Sequence, residues 1–222
     1  VTKVFVELYN KKLIYKDLKL TNWDPKLKTA ISDLEVNQKD VNGKLYYIKY
    51  YLEGSNDFLV IATTRPETLF GDTAIAINSS DERYLKYLGK KIKIPITNRL
   101  VEIISDEYVD PTQGSGVVKI TPAHDYNDYD VGKRNNLKLI NIMNKDGTLN
   151  KNVPINYQNL DRFEAREKLI KELNDLEKIE KIDDIKHTVP FGDRSGVVVE
   201  PLLTKQWFVD AKKIAKNAIA KV

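Results

Sequence analysis

Residues 54–62 read Gly-Ser-Asn-Asp-Phe-Leu-Val-Ile-Ala, a polar turn sequence followed at once by a continuous apolar run. A short run of apolar and β-branched residues that begins at a turn is typical of a buried strand. Two more strand-like stretches, residues 34–39 and 45–52, lie just upstream, and the Asn42-Gly43 pair between them is a signal for a type I′ hairpin. Together these stretches predict a three-strand meander.

The sequence downstream of the meander also consists mostly of short strand-like runs. Short runs rich in Val and Ile alternate with turn residues such as Asp146-Gly147, which is typical of a mainly β domain. We therefore expect a mainly β fold of the α+β class, with peripheral helices and with a closed or barrel-like β core. The further predicted strands are residues 73–78, 91–94, 100–104, 116–121, 139–143 and 197–200.

Helices are fewer. Ser79 with Glu82 fits a capping box for a short helix ending at Gly89, and Asp161 with Glu164 opens a longer helix. The C-terminal helix is apolar on one side and basic on the other, which fits either packing against a larger body or binding at a membrane surface. The predicted helices are residues 1–13, 79–89, 161–182 and 207–222.

The amino-acid composition excludes several kinds of functional site. The 222 residues are 41% hydrophobic and 31% charged, within the globular range. The absence of Cys excludes disulfides and a thiol nucleophile, and two His are too few for a His-rich metal cage. No apolar run approaches the roughly 18 residues that a membrane span needs, so we expect a soluble, cytoplasmic protein without a membrane partner. Because the chain does not begin with Met, we also expect a piece of a larger protein.

Charge is distributed unevenly along the chain. The net charge is +4, but residues 1–28 and 205–222 are rich in Lys and the residues between them are acidic overall. A protein that held nucleic acid with a broad basic face would not be acidic through its centre. Any contact with nucleic acid is therefore expected to be small and local.

The first cluster of functional side chains directly follows the apolar run of residues 58–62. Thr63, Thr64, Arg65, Glu67 and Thr68 supply three hydroxyls, one guanidinium and one carboxylate within six residues. An Arg can clamp a phosphate or stack on a base, and Thr hydroxyls can hold a water or a ribose hydroxyl. The same residues could equally form a strand end and a helical turn opened by a Pro.

A Gly-rich turn and a lysine form the second cluster. Gly114 and Gly116 could bring backbone N–H groups close to a ligand, although tight turns use the same residues. Strand alternation places Lys119 and Thr121 on one face of the following strand. Lys119 therefore lines a cleft or is a solvated strand lysine.

The third cluster is acidic. His124, Asp125, Asp128 and Asp130 lie within nine residues at a strand-to-helix transition. Asp125 fits a helix N-cap and Asp128 a first-turn carboxylate that complements the helix dipole, so helix chemistry alone explains both. A Mg²⁺ site made of carboxylates is the other alternative.

These clusters occur together and in order, and their combination resembles the editing domain inserted in the catalytic core of the class I aminoacyl-tRNA synthetases for valine, isoleucine and leucine. Residues 117–125, with Lys119, are most similar to the valine branch of that family, as are residues 22–33 and 194–208. Ser115 stands where the family commonly has Thr. The resemblance covers nearly the whole chain and is strongest over residues 59–147.

The resemblance implies a division of the chain into three parts. Residues 1–30 would connect to a parent catalytic domain, residues 31–190 would form the editing domain, and residues 191–222 would return to the parent. The HIGH-type and KMSKS-type signatures of the synthetic site are not in these residues. ATP and Mg²⁺ would therefore belong to the parent only, and editing would need no cofactor or metal.

The resemblance further implies hydrolysis of a mischarged threonyl ester at the 3′ end of valine tRNA, with the rest of the synthetase as a partner. Asp128 would pair with the α-ammonium, Lys119 and Asp125 would shape the polar pocket, and Thr64, Arg65 and Thr68 would hold the terminal adenosine and the attacking water. The implied catalytic residues are Asp128, Thr64, Thr68 and Asp125, and the implied substrate-binding residues are Thr63, Arg65, Glu67, Lys119, Thr121, His124, Gly114 and Gly116.

Other functions remain open. The chain could be a non-catalytic module that docks tRNA, or an editing domain from the isoleucine or leucine branch. It could also be a metal-dependent hydrolase built on Asp125, Asp128 and Asp130.

Overall fold

Three β-sheets organise the chain, and the computed structural model describes residues 1–220. The strands are β1 Ile14–Asp24, β2 Thr29–Ala30, β3 Val36–Tyr51, β4 Phe58–Thr63, β5 Ala74–Ile77, β6 Lys91–Lys93, β7 Leu100–Ser105, β8 Val117–Ile120, β9 Ile179–Gly192 and β10 Glu200–Val209. The α-helices are α1 Thr2–Asn10, α2 Tyr126–Arg134, α3 Arg162–Asp175 and α4 Ala211–Ile219, and single 3₁₀ turns cover Asp33–Glu35, Pro66–Gly71, Leu85–Tyr87 and Ile155–Tyr157.

The sheet orders are β10-β1-β2, β4-β3-β9 and β6-β7-β5-β8. Only β5 and β7 run parallel among the described pairs. The main core lies between the second and third sheets, where fully buried Ile48, Ile61, Ile75 and Ile103 come from four different strands. Leu169 and Leu173 of α3 join the same core. The expectation of a mainly β fold with peripheral helices is confirmed.

The expectation of a closed barrel is wrong. On one side the second and third sheets are joined, within residues 1–220, by a single isolated bridge between Leu52 and Ile92. On the other side the edge strands β4 and β8 both line one cavity, with Ala62 and Thr63 on β4 and Lys119 on β8. The sheets do not close because this cavity lies where a β4–β8 ladder would be.

The predicted hairpin at Asn42-Gly43 is also wrong, since both residues lie in the middle of β3. Gly43 pairs with Ile185 of β9, and the β3–β9 ladder runs from Val36 to Ile48. A Cβ on Gly43 would lie 2.3 Å from Cε1 of His187. Gly is needed here because an imidazole packs against the strand, and β9 supplies the hydrogen bonds that a hairpin partner would otherwise have made.

Residues 79–89 form turns and one 3₁₀ segment in place of the predicted capped helix. The Asn78 carboxamide oxygen accepts from the Ser80 amide at 2.9 Å, and an Asp81 carboxylate oxygen accepts from the Arg83 amide at 3.2 Å. Such local side-chain bonds compete with helix formation. The Ser79–Glu82 pair therefore caps nothing.

The longer predicted helix is confirmed at its start and wrong at its end. Asp161 caps α3 by accepting from the Phe163 amide at 2.8 Å. The helix ends at Asp175, and Glu177 has a positive φ of 55° before β9 begins at Ile179. The apolar residues beyond that point belong to a strand whose register with β3 overrides their helical spacing.

The chain ends form a ribbon that the sequence did not reveal. β1 pairs with β10 from Ile14–Val209 to Trp23–Glu200. Trp207 therefore lies on a strand, and the C-terminal helix is shorter than predicted; the predicted end at Val222 lies outside the described residues. Residues 139–143 form no strand, only a bridge between Met143 and Leu149.

Within residues 1–220, no helix has both the length and the apolar character that crossing a membrane requires.

Candidate active site

A cavity of about 310 Å³ lies between β4, β8 and the start of α2. Glu67, Gly114 and Gly116 lie outside its lining, although the sequence grouped them with the site. The predicted site residues that line it are Thr63, Thr64, Arg65, Thr68, Lys119, Thr121, His124, Asp125 and Asp128. The three sequence clusters therefore meet in space.

Lys119 is buried in the floor of this cavity, with 8% of its surface exposed. Its ammonium lies 3.1 Å from Oδ1 of Asp72 and also donates to the Thr121 hydroxyl. That hydroxyl in turn donates to Asp72 Oδ1 at 2.6 Å, and the Tyr50 hydroxyl donates to Asp72 Oδ2 at 2.9 Å. Lys119 is thus not a solvated strand lysine, and its ion-pair partner is Asp72.

Asp128 is a buried carboxylate of a different kind. It is 6% exposed, and its Oδ2 accepts from the Thr121 amide at 2.8 Å, which ties α2 to the end of β8. Burial raises its pKa to about 7, with a further increase from Asp125 and an opposing effect of Lys119. Among the described residues, no Lys or Arg is close enough to form an ion pair with it.

Asp125 is the N-cap of α2. Its Oδ1 accepts from the amides of Asn127 at 2.8 Å and Asp128 at 3.1 Å. The capping interpretation is therefore confirmed for Asp125. For Asp128 the bond to the Thr121 amide adds a role that capping chemistry does not predict.

His124 is a structural residue of the cavity wall. Its Nε2 accepts from the Ile142 amide at 2.9 Å, and its carbonyl oxygen accepts from Nη1 of Arg65 at 3.0 Å. Burial, followed by the charges of Arg65 and Lys119, lowers its pKa to about 3. The imidazole is therefore neutral, and it holds residues 140–143 beside the site.

The Thr-rich loop is held by its own hydroxyls. Thr63 Oγ1 accepts from the Arg65 amide at 3.1 Å, and Thr68 Oγ1 donates to the Arg65 carbonyl at 2.9 Å. The 3₁₀ turn starts at Pro66, so the structural alternative for this loop is also correct. Thr64 is half-buried and faces the cavity.

An arginine–glutamate network fixes the loop from behind. Glu67 is fully buried and accepts from Arg166 at 2.7 and 2.8 Å, with Nε of Arg65 at 3.6 Å. Burial acts to raise the Glu67 pKa, but the two arginines outweigh it and hold the pKa below its ordinary value. Glu200 pairs with Arg65 and, at 2.7 Å, with Arg162. The network joins the loop to α3 and β10.

The Gly-rich turn packs next to the cavity without lining it. Gly114 and Gly116 have φ values of +58° and +77°, which other residues rarely adopt. A Cβ on Gly114 would lie 3.0 Å from the Cβ of Ala62, and the Ser115 carbonyl accepts from Tyr84 at 2.9 Å. The tight-turn interpretation accounts for both glycines.

The alternative of a carboxylate metal site finds no geometric support in the described part of the chain. Asp130 is exposed and does not line the cavity with Asp125 and Asp128. Over residues 1–220, no three His, Asp or Glu side chains are grouped in a way that could hold a metal ion.

Asp72 is an important residue to which the sequence analysis gave no role. It is fully buried, and burial raises its pKa while Lys119 and the hydroxyls of Thr121 and Tyr50 oppose that rise. The available signal was its position, a lone carboxylate two residues before the apolar strand β5. A charge that adjoins a buried strand needs a partner in the interior, and Lys119 was the unexplained cation in the same sheet.

Comparison with known proteins places the chain. Residues 1–222 match the family described as class I tRNA synthetases (I, L, M and V). Valine–tRNA ligase of Pelagibacter ubique (strain HTCC1062) is 59% identical over 98% of this chain and 25% of its own length. That of Lactococcus lactis is 52% identical over 99% of this chain and 25% of its own length.

A solved leucyl-tRNA synthetase from Agrobacterium radiobacter K84, in a ternary complex with tRNA and LeuAMS, covers 84% of this chain with a TM-score of 0.48 and 20% identity. The match spans 31% of that structure. The chain spans about a quarter of the length of the curated relatives it matches. Because the family match covers every residue and close relatives match at more than half of the positions, the chain belongs to the class I tRNA synthetases.

Proposed function

We propose that this chain removes threonine from mischarged valine tRNA by hydrolysing the ester at the 3′ end of the tRNA. The observation that carries the proposal is the cavity between β4 and β8, which holds one buried carboxylate without a cation beside a buried Lys–Asp pair. The family and the relatives support tRNA as the substrate, and the side chains that line the cavity support the hydrolytic reaction.

Asp128 is the proposed partner of the substrate's α-ammonium. A buried carboxylate without a cation is unfavourable in the empty protein, as its raised pKa indicates. An ammonium placed beside it would remove that penalty, so binding energy is available at this point. Glu67 and Glu200, by contrast, already have guanidinium partners.

The cavity floor is the proposed sensor of the substrate hydroxyl. Threonine and valine differ by a hydroxyl in place of a methyl, and a pocket built for valine rejects threonine poorly, the valine-specific synthetases being the standard example of this problem. A second pocket can use that hydroxyl as the point of recognition. Lys119 and Thr121 present polar atoms there, to which a threonyl hydroxyl can bond and a valyl methyl cannot.

Thr64, Arg65 and Thr68 are proposed to hold the terminal adenosine and to orient the attacking water. The water oxygen bonds to the ester carbonyl carbon, the bond from that carbon to the ribose oxygen breaks, and the ribose oxygen takes up a proton. The products are free threonine and uncharged tRNA. An aminoacyl ester is reactive enough for positioning and polar stabilisation to accelerate this step, so the proposal assigns it no metal or ATP.

The proposal extends to the division of the chain. Residues 31–190 are assigned to editing, and residues 1–30 and 191–222 to the connections with the rest of a longer cytoplasmic synthetase, which would carry the ATP-dependent activity. The antiparallel pairing of β1 with β10 supports this division because it joins the two assigned connecting segments to each other.

The decisive experiment is to incubate the 222-residue chain with threonyl-tRNA for valine in the presence of a chelator and to measure the release of free threonine. We expect release that is faster than the spontaneous rate and faster than release of valine from correctly charged tRNA. Binding of the charged tRNA without release would indicate the docking module instead. Release that the chelator abolishes would indicate the metal-dependent hydrolase.

A further inference from the structure

Glu200 contacts a cavity-lining residue from outside residues 31–190, the segment assigned above to editing. It is the first residue of β10, it is 4% exposed, and it pairs in register with Trp23 of β1. Its Oε2 accepts a hydrogen bond from Nη2 of Arg65, which lines the candidate cavity. The segment assigned to the return connection therefore holds a side chain of the site.

Three contacts determine how the Arg65 guanidinium is oriented. Nη2 donates to Glu200, Nη1 donates to the His124 carbonyl oxygen at 3.0 Å, and Nε lies 3.6 Å from Oε1 of Glu67. Burial acts to lower the Arg65 pKa, but the charge of Glu200, followed by that of Glu67, outweighs burial and raises the pKa. A hydrogen bond between two charged groups is stronger than one to a neutral carbonyl. Glu200 is therefore the main determinant of the orientation.

The same contacts leave donors on Arg65 for a ligand. A guanidinium has five N–H donors in a rigid planar fork, and Glu200 and the His124 carbonyl use two of them. The Arg65 side chain is 28% exposed. Because the fork is planar, the two hydrogen bonds also fix the direction of the remaining N–H groups.

Glu200 is itself held firmly in place. Its Oε1 lies 2.7 Å from Nε of buried Arg162, which also donates through Nη2 to the Val198 carbonyl oxygen at 3.2 Å. Trp23, its register partner in β1, is buried and donates through Nε1 to the Lys145 carbonyl oxygen at 2.7 Å. A carboxylate anchored in this way can define the position of the guanidinium that it binds.

Glu67 belongs to the same network but is placed differently. Both of its hydrogen bonds come from Arg166, which does not line the cavity, and it makes none with Arg65 because the distance to Nε is 3.6 Å. Of the two buried glutamates of the network, Glu200 is thus the one that binds the cavity-lining arginine directly.

We propose that Glu200 is a positioning residue for ester hydrolysis, which orients the Arg65 guanidinium toward the terminal adenosine and the attacking water. The inference rests on the proposed function, which gives Arg65 that role. It also extends the editing site into residues 191–222, so the return connection contributes to the reaction as well as joining two parts of a longer chain. Glu200 does not contact the substrate and acts through Arg65 alone.

A double-mutant cycle tests this role. The kcat/KM for threonine release from threonyl-tRNA is measured for the wild type, Glu200→Gln, Arg65→Gln and the double variant, all as the 222-residue chain. Glu200→Gln keeps the size of the side chain and an acceptor oxygen but removes the charge. Hydrolysis should therefore fall roughly ten- to hundredfold, the cost of a misplaced group in an active site. In the Arg65→Gln background the same substitution should change the rate by less than about twofold, because no guanidinium is left to orient.

The cycle has a second form for the case that Arg65→Gln hydrolyses only at the spontaneous rate. Arg65→Lys then replaces it, because lysine keeps the charge but lacks the planar fork that Glu200 orients. The effect of Glu200→Gln should again be much smaller than in the wild-type background. Equal losses from Glu200→Gln in the two backgrounds would overturn the proposal.

Asp106→Asn is the matched control for damage to the fold. Asp106 is also a buried carboxylate bound to an arginine, its Oδ2 accepts from Nε of Arg134 at 2.8 Å, and it does not line the cavity. Urea unfolding should show a loss of stability for both Asp106→Asn and Glu200→Gln. Threonine release by folded Asp106→Asn should stay within about twofold of the wild type, since distant sites act independently. A loss of hydrolysis as large as that of Glu200→Gln would overturn the positioning role.

The wild-type measurement distinguishes failure of this inference from failure of the proposed function. If the wild type releases threonine faster than the spontaneous rate and Glu200→Gln does so equally fast, the positioning role is refuted and the proposed function stands. If the wild type releases threonine only at the spontaneous rate, the proposed function is refuted, and the role of Glu200 in hydrolysis with it.

Discussion

The carboxylates of Glu67 and Asp128 are both buried, yet their surroundings are opposite. Glu67 lies between Arg166 and Arg65, which hold its pKa below the ordinary value. Asp128 has one backbone donor and no cation among the described residues, and burial raises its pKa to about 7. A carboxylate whose charge is already compensated contributes to the fold, whereas an uncompensated one is available to a cationic ligand.

Asp72 stands between these two cases. It has a cation, Lys119, whose side chain lines the cavity, whereas Asp72 itself is fully buried and outside the cavity lining. Its two other donors, Thr121 and Tyr50, orient the carboxylate from both sides. The Asp72–Lys119 pair is therefore a buried packing element, and Lys119 alone adds a polar atom to the cavity wall.

The largest expected effect is that of Asp128→Asn on hydrolysis. The amide keeps the size of the side chain and can still accept from the Thr121 amide, but it cannot compensate an ammonium. Removing one member of a buried charge pair costs about 3 kcal/mol or more, so threonyl-ester hydrolysis should fall on the order of a hundredfold. Initial rates of threonine release measure the effect.

Asp130→Asn is the matched control, since Asp130 lies on the same helix and is exposed. It should hydrolyse at the wild-type rate. Near-normal hydrolysis by Asp128→Asn, with an unchanged thermal unfolding curve, would remove Asp128 from the proposed mechanism.

The contrast between Glu67 and Asp128 predicts the opposite result for Glu67→Gln. This substitution should change the free energy of unfolding more than the rate of ester hydrolysis. The substitution leaves Arg166 without its carboxylate, and we expect a loss of about 3 kcal/mol, at the low end for breaking a buried pair because the guanidinium is partly exposed. Urea unfolding measures this loss. Glu164→Gln, on the exposed side of α3, should change the free energy of unfolding by less than about 0.5 kcal/mol. Equal stabilities of the two variants would contradict the structural role of Glu67.

Lys119→Met should affect discrimination between the two esters. The variant keeps an apolar stem but removes a charged donor, so the threonyl ester should lose about 1.5 to 3 kcal/mol of transition-state stabilisation while the slow valyl reaction changes less. The ratio of the two rates measures discrimination. Wild-type rates on both esters would show that Lys119 does not contact the substrate.

Burial makes a control necessary for Lys119→Met, because the variant also leaves Asp72 without its cation. The double variant Lys119→Met with Asp72→Asn removes both charges and should recover stability in urea unfolding without recovering discrimination. Recovery of both would mean that Lys119 acts only through the fold.

The sequence predicted the third sheet well and the long ribbons poorly, for a physical reason. β5, β7 and β8 are short apolar runs between turns, and their apolar composition is enough to predict that they are buried. β1 and the outer half of β3 are half-exposed ribbons stabilised by partners more than 140 residues away. Local pattern carries no information on such partners, so Asn42-Gly43 looked like a turn.

The candidate site shows the same limit. The family resemblance grouped Thr64, Lys119 and Asp128 in one site, and the structure places all three in the lining of one cavity. The pairing of Lys119 with Asp72 and of Glu67 with Arg166 joins residues 47 and 99 positions apart. Deciding which carboxylate is compensated requires those distances, and sequence spacing cannot supply them.

The last expected effect concerns pH, and it sharpens the contrast between Glu67 and Asp128. If the ionised carboxylate of Asp128 binds the ammonium, the ratio of wild-type to Asp128→Asn kcat/KM should rise with a midpoint near pH 7 and change about twofold between pH 7 and 8.

The contribution of Asp128 to stability should fall as the pH rises. The raised pKa means that the folded protein holds this proton more tightly than the unfolded chain, so the contribution of Asp128 to stability falls as pH rises from the ordinary pKa of 3.8 to about 7. Urea unfolding of the wild type and of Asp128→Asn across this range measures it, and the wild type should lose stability relative to the variant. A difference between the two proteins that stays constant over the range would show that Asp128 is ionised throughout and has a partner after all.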